Sequence, residues 1–299
     1  MAQTLEARQA MGKARRGAAG RRALLEAAAI LLFILFMIPF AIVLLNAMRT
    51  NGEIINQSVG LPQNPAVLVD NVVTVWNNPT FSFLNAFFDS VIITVFSLAI
   101  ISLLSAMTAW VLVRNKTRWS TVLFMMFVSA MVIPFQVLMF PLISWFRTLG
   151  DATGIQLLRT HGGMIFAYLG FGESMTIFIF HGFIKNVPLE LEEAADIDGC
   201  SRAGTFFRIV LPLLQSVFVT VLVLNGLWIW NDYLLPLLVL GTNSAVRTIP
   251  LAVQGFIGSF VKQWNLIMVS TMLAMIPIIV IYLFAQKYIV KGLVEGAIK

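Results

Sequence analysis

Side chains able to do chemistry are scarce in this sequence, and those that stand out lie inside apolar runs. Glu173 is the clearest, a carboxylate about 16 Å along a helix that begins near Gly162. That is close to the middle of a bilayer, where a charge is costly and faces a cavity or a partner. It suits accepting hydrogen bonds from the hydroxyls of a solute or pairing across a gate, and a plain polar contact between helices would also account for it. Asn225, Trp228 and Asp232 follow at i, i+3 and i+7, on one helical face. A polar stripe with an indole suits a sugar path, because aromatic rings stack on the apolar faces of pyranosides. Trp228, Trp230 and Asp232 fit equally well an interfacial belt of tryptophans and charged anchors, and Asn225 a bond between helices. His161 and His181 stand 20 residues apart with no cysteine near, so no metal site is expected. The lone Cys200 cannot form an internal disulfide. The nearest fragment to a nucleotide-binding phosphate loop is Gly12-Lys13, which is followed by Ala14 and lacks the upstream glycine such a loop needs. No catalytic residue and no cofactor are expected in this chain.

The elements that must position these residues are set by composition. The chain has 299 residues, of which 59% are hydrophobic and 11% charged. Its mean hydropathy is +0.89. A soluble fold would struggle to hide that much apolar surface, so the bilayer is read as the main solvent. Six runs are long enough to cross it: 27–47, 90–113, 121–146, 162–183, 213–240 and 266–284. The third and fifth are overlong, and Pro134, Pro141, Pro236 and Pro277 supply places for tilts or kinks. The 20 basic residues sit in the gaps between these runs, a placement that argues against nucleic acid. With the N-terminus inside, fifteen fall on inner segments and five on outer ones: Arg49, Arg147, Arg159, Arg247 and Lys262. That bias predicts both termini in the cytoplasm. Residues 1–22, with Arg8, Lys13, Arg15, Arg16, Arg21 and Arg22, read as a basic cytoplasmic tail. Residues 23–299 read as the transmembrane domain. In the outer loop from Arg49 to Asn85, punctuated by Pro62, Pro65 and Pro79, Leu68 to Trp76 is expected to form a short surface helix.

One charged, helix-prone segment, at about 185–212, lies on the inner side between two apolar runs. Asn186 is expected to cap a helix beginning near Val187, with Pro188 in its first turn and Glu190, Glu192 and Glu193 near its positive end. Leu191, Ala194, Ala195 and Asp198 would share one face, small and flat enough for another protein to approach. Gly199 would end the helix in a left-handed cap, and Ser201 would start a second helix reaching Ile209. Pro212 would mark entry to the fifth span.

The spacing in that segment is Glu193-Ala194-Ala195, three residues, Gly199, nine residues, Ile209, one residue, then Leu211-Pro212. It resembles the cytoplasmic loop of binding-protein-dependent ABC importer permeases. Residues 196–200 (Asp-Ile-Asp-Gly-Cys), the run Trp230-Asn231-Asp232-Tyr233 and the C-terminal stretch with Lys287-Tyr288-Ile289-Val290-Lys291-Gly292-Leu293 are similar to the carbohydrate-uptake branch. Three positions depart from it: Asp89 stands where asparagine is common before the serine, Val72 where tyrosine often follows the asparagine, and Cys200 where alanine is frequent. The resemblance implies an all-α integral membrane protein with the six transmembrane helices of the type I ABC importer permease fold, in a bacterial or archaeal cytoplasmic membrane. It implies a second permease subunit, usually a different chain, an extracytoplasmic solute-binding protein, and an ATPase dimer that holds ATP and magnesium. It assigns ATPase coupling to Glu193, Ala194, Ala195, Gly199, Ile209, Leu211 and Pro212, and rigid-body alternating access to the chain as a whole. Rival readings are an importer permease for a non-sugar solute and an ion-driven secondary transporter. The latter would need several deep ionisable residues, where only Glu173 lies clearly deep.

Overall fold

A computed structural model of the chain describes residues 2–78, 83–256 and 262–297. Pro79, and the side chains of residues 1–19, 285 and 287–299, lie outside the described residues; these include Arg8, Gly12-Lys13, Arg15, Arg16, Lys287, Lys291 and Lys299. The long regular elements among the described residues are all helices. The helices are α1 (Ala2–Ala47), α2 (Asn51–Asn56), α3 (Val67–Trp76), α4 (Phe83–Arg114), α5 (Arg118–Ala130), α6 (Phe135–Thr153) and α7 (His161–Ile184). They continue with α8 (Glu190–Ile197), α9 (Arg202–Thr205), a π turn (Phe206–Val210), α10 (Leu211–Leu213) and α11 (Gln215–Asn231). α12 (Leu234–Val239), α13 (Ile249–Val253) and α14 (Trp264–Ala297) complete the chain. Contacts divide it into residues 1–72 with 263–272, and residues 73–262 with 273–299.

In the first unit, the turn after α1 closes around two polar side chains. The buried Arg49 guanidinium donates to Asn46 Oδ1 at 2.8 Å and to the Glu53 and Gln57 carbonyls, both at 2.7 Å. Asn71 donates to the Ala47 and Arg49 carbonyls at 2.9 and 3.0 Å, and accepts from Asn265 at 2.7 Å. Thr50 and Glu53 form a reciprocal capping box at the start of α2. Arg49, which the sequence offers as a loop cation, is thus spent on satisfying backbone carbonyls. The short helix expected in the outer loop forms as α3, and Asn71 and Val75 on it are buried.

The second unit is built on α4 and α7. Lipid tails are as apolar as leucine, so helices in a bilayer associate through close packing of small residues. α4 presents Ser90, Thr94, Ser97, Ser102, Ser105, Ala106 and Ala109 as buried positions, and α7 presents Gly163, Ala167, Gly172, Ser174 and Thr176. A Cβ at Gly172 would lie 2.8 Å from Ile101 Cδ1, so the glycine is what lets the two helices approach there. α7 runs unbroken through Gly170 and Gly172, by close approach with no local unwinding.

α4 and α7 run in the same direction. At one end His161 meets Asp89 at 2.7 Å; at the other Arg114 donates to the Val187 carbonyl at 2.9 Å. α11 runs the opposite way, since Asn225 bonds Thr176 while Asp232 bonds Tyr168. Two parallel helices consecutive in the bundle require the chain to travel back from the Arg114 end to the Asp89 end, and α5 and α6 make that return.

By length and apolarity, 20–47, Phe83–Arg114, His161–Ile184 and Trp264–Phe284 suffice to cross a bilayer, with two bent pairs that would raise the count to six. The first pair falls at the overlong third run and breaks at Pro134, one of the expected sites. The second breaks at Leu214, beside the Pro212 expected only to mark entry to the fifth span, while Pro141 and Pro277 lie inside unbroken helices. α5 and α6 meet at 105°. Pro134 cannot donate to the Ala130 carbonyl, and it disfavours helical backbone at Ile133. The 202–213 stretch meets α11 at 78°. There Pro212 has no N–H for the Arg208 carbonyl, and the preceding turn relaxes to Leu211 N–H donating to Phe206 O. The expected single span 213–240 is therefore α11 alone, followed by the separate short α12.

Candidate functional site

The 185–212 segment folds as a helix, a glycine turn and a second helical stretch, with different details from those expected at its start. Asn186 does not cap it: its side chain donates back to the Gly182 carbonyl at 3.3 Å, and α8 begins at Glu190. Leu189 holds the cap position without a side-chain bond, and Glu190, Glu192 and Glu193 sit in the first turn, where the helix dipole favours them. The other end is a Schellman turn. Gly199 has φ +77°, Cys200 N–H donates to Ala195 O at 2.9 Å, and Gly199 N–H to Asp196 O at 3.1 Å. Ser201 then caps α9 by accepting from Gly204 N–H at 3.2 Å. The helical path to Ile209 passes through the π turn.

α8 divides its side chains sharply. Glu192 is buried: its Oε1 meets Arg114 Nη2 at 2.7 Å and Nε at 2.9 Å, and its Oε2 accepts from Trp110 Nε1 at 2.9 Å. Trp110 and Arg114 are one helical turn apart on α4, so both reach the same carboxylate. Its neighbour Glu193 is exposed, as are Ala194 and Gly199. Ala195 is 4% exposed and packs inward, so the outward face carries one alanine where two were expected. Pro212 is exposed, and Ile209 and Leu211 are half-buried.

The intramembrane residues separate as well. Asn225 is buried, donating to Thr176 Oγ1 at 3.0 Å and to the Val221 carbonyl at 3.1 Å, while Thr176 donates to the Gly172 carbonyl at 2.7 Å. This joins α11 to α7. Trp228 and Asp232 meet at Tyr168, whose ring lies edge-on to Trp228 at 5.4 Å and whose hydroxyl donates to Asp232 Oδ2 at 3.1 Å. Asp232 Oδ1 also accepts from Leu234 N–H at 3.0 Å, fixing the turn into α12. Glu173 is half-buried on α7 and, among the described residues, receives no hydrogen bond. It shares a helical stripe with Gly162, Phe166 and Gly170, all of them open. The expected stripe therefore splits into a sealed bond at Asn225 and a cluster of Trp228 and Asp232 at Tyr168, while Glu173, expected apart from it, stands on another helix.

The comparisons with known proteins fit this geometry. Residues 101–295 match the family described as binding-protein-dependent transport system inner membrane component. The chain belongs to this family. Its role is that of a transport component of a membrane importer, a multi-pass protein and not an enzyme, and the partners that follow in outline are a solute-binding protein and an ATPase. It is 41% identical over 90% of its length to the probable starch degradation products transport system permease protein AmyC of Thermoanaerobacterium thermosulfurigenes, covering 94% of that protein. It is 31% identical to the multiple sugar-binding transport system permease protein MsmG of Streptococcus mutans, covering 89% of this chain and 93% of that one. It is 32% identical to the melibiose/raffinose/stachyose import permease protein MelC of Bacillus subtilis, with 88% and 91% covered. The crystal structure of a bacterial ABC transporter involved in the import of the acidic polysaccharide alginate shares the fold, with a TM-score of 0.74, 18% identity, and 89% of this chain and 96% of that chain covered.

Sequence reasoning missed two sets of residues. The Glu192–Arg114–Trp110 tie was hidden by its neighbour Glu193, which carries the spacing; the available signal was an indole and a guanidinium one turn apart at the end of an apolar run. Asp89 accepts from the Arg247 N–H at 2.9 Å through Oδ2 as well as meeting His161, and Ser90 Oγ accepts from the Ile249 N–H at 2.8 Å. Together they bind the starts of α4, α7 and α13.

Proposed function

We propose that the chain is the permease subunit of an ABC importer for a sugar, forms half of the translocation path with a second permease, and takes its drive from a separate ATPase dimer holding ATP and magnesium. The observation that carries this reading is the outward presentation of Glu193 and Ala194 on a short helix whose next glutamate is tied to α4. A docking surface must offer a polar contact and a close approach while resisting displacement, and α8 does both. Glu193 makes the polar contact, Ala194 the close approach, and Gly199 holds the turn, with Ile209, Leu211 and Pro212 linking it to α11. Six spans with both termini in the cytoplasmic side of a bacterial or archaeal membrane place this loop within an ATPase's reach, as the distribution of basic residues supports. A carbohydrate is the cargo favoured by relatives named for starch degradation products and for melibiose, raffinose and stachyose. Glu173, with no hydrogen-bond partner among the described residues, is the leading candidate to face the path; Trp228 and Asp232 border it, and Asn225 braces α7 against α11.

Transport by the complete importer in proteoliposomes tests the reading. Glu193→Lys is expected to abolish ATP-driven sugar uptake while the subunit still inserts and folds. Undiminished uptake by that variant, or uptake that follows an ion gradient without ATP, would end the proposal.

A further inference from the structure

We propose that the Arg114 end of α4, α5 and α7 holds a site for an anionic phospholipid, with the headgroup phosphate among Lys116, Arg118 and Lys185 and an acyl chain laid along α5. A cleft of about 850 Å³ opens there between the α4–α5 turn and the α7–α8 turn. Its floor is the Phe124 ring stacked on His181 at 3.7 Å. Lys116, Arg118 and Lys185 line it, all exposed, and among the described residues none forms an ion pair. Arg114 also lines it, but its guanidinium is committed to Glu192 and the Val187 carbonyl. One carboxylate, Glu190, lies against three free cations.

The cleft does not end at the charged layer. A groove of about 440 Å³ follows α5 through Val122, Met126, Ala130 and Ile133, and it shares Thr121 and Met125 with the cleft. α5 has no buried residue, and its 13 residues rise about 20 Å, more than the roughly 15 Å of hydrocarbon in one leaflet. Trp119, 76% exposed at the start of α5, has the place of an interfacial anchor and marks the headgroup level. A charged cleft at that level, continuous with an apolar trough, matches a phosphodiester joined to a chain. A soluble anion would fill the cleft and leave the trough empty; a protein helix would fill the trough and have no use for the cations. The bound lipid would lie against Val187, Leu189 and Glu190, at the root of α8. The proposal rests on the chain spanning a membrane and is independent of the cargo.

The test is native mass spectrometry of the complete transporter, purified in detergent and titrated with phosphatidylglycerol or phosphatidylcholine. Each basic residue near an anionic membrane is worth about a fivefold change in affinity, so Lys116→Gln, Arg118→Gln and Lys185→Gln together are expected to weaken phosphatidylglycerol retention about a hundredfold. Lys116→Arg with Lys185→Arg keeps the charge and should keep the lipid, separating loss of charge from misfolding. Met125→Trp fills the trough without touching a charge and should also lower retention. Equal retention of phosphatidylcholine, no effect of Met125→Trp, displacement of the lipid by millimolar inorganic phosphate, or cross-links placing another subunit in the cleft would each overturn the proposal.

Discussion

At the scale of single residues, polar groups inside this protein have divergent fates that their types alone do not announce. Asn225 and Glu173 both lie mid-run in apolar segments, yet Asn225 is sealed between helices by Thr176 while Glu173 stays half-buried and, among the described residues, takes no hydrogen bond. The sequence made both visible as anomalies. It could not separate them, because the difference lies in which neighbouring helix reaches the same depth, a tertiary fact. Gly172 shows the same limit from the other side: its role is defined by Ile101, 71 positions earlier in the chain. Gly172→Leu is expected to force α4 and α7 apart and to destabilise the subunit by about 1–3 kcal/mol, as overpacking does elsewhere. Gly172→Ala should do much less, because the atom it meets is the terminal methyl of Ile101, which can rotate away. Thermal unfolding of the detergent-solubilised protein would rank the two, and equal effects would contradict the close-approach role.

At the scale of elements, the helix–glycine–helix pattern of the loop was legible because caps depend on local sequence: Ser201 and Gly199 act where their chemistry places them. The start of α8 was misplaced because Asn186 found a carbonyl on α7 before it could serve as a cap. The break at Pro134 was legible as a site and illegible as an angle, since a proline removes a bond while the surrounding packing decides how far the chain then turns. Pro212 was legible only as the entry to the fifth span, and the bend beside it was missed. The tie from α8 to α4 separates two adjacent glutamates by function. Glu192→Gln leaves the largely buried Arg114 without its counter-charge and is expected to cost about 3 kcal/mol of stability. Glu193→Gln, on the exposed face, should stay within about 0.5 kcal/mol. Chemical unfolding in detergent would show the contrast, and ATPase activity of the assembled importer should fall in both variants.

At the scale of the molecule, the parallel course of α4 and α7 governs topology. It requires α5 and α6, despite their 105° bend, to carry the chain from one end of the pair to the other. In a Cys200→Ser background, an impermeant maleimide is expected to label Asp151→Cys from outside the cell and Asn115→Cys only from the cytoplasmic side. Labelling of both from one side would mean that the bent pair re-enters the membrane it left. The same arrangement gives α8 three attachments that do not lie on one line: the chain to α7, the chain through α9 to α11, and the carboxylate on α4. A plate pinned at one corner swings, and at two it tilts about the line between them; pinned at three, it has a fixed attitude. Under the proposed docking, a load at Glu193 would be shared as torque among α4, α7 and α11, and the stiffness of the Glu192 strut would set how much of each stroke arrives as rotation instead of being lost as slack.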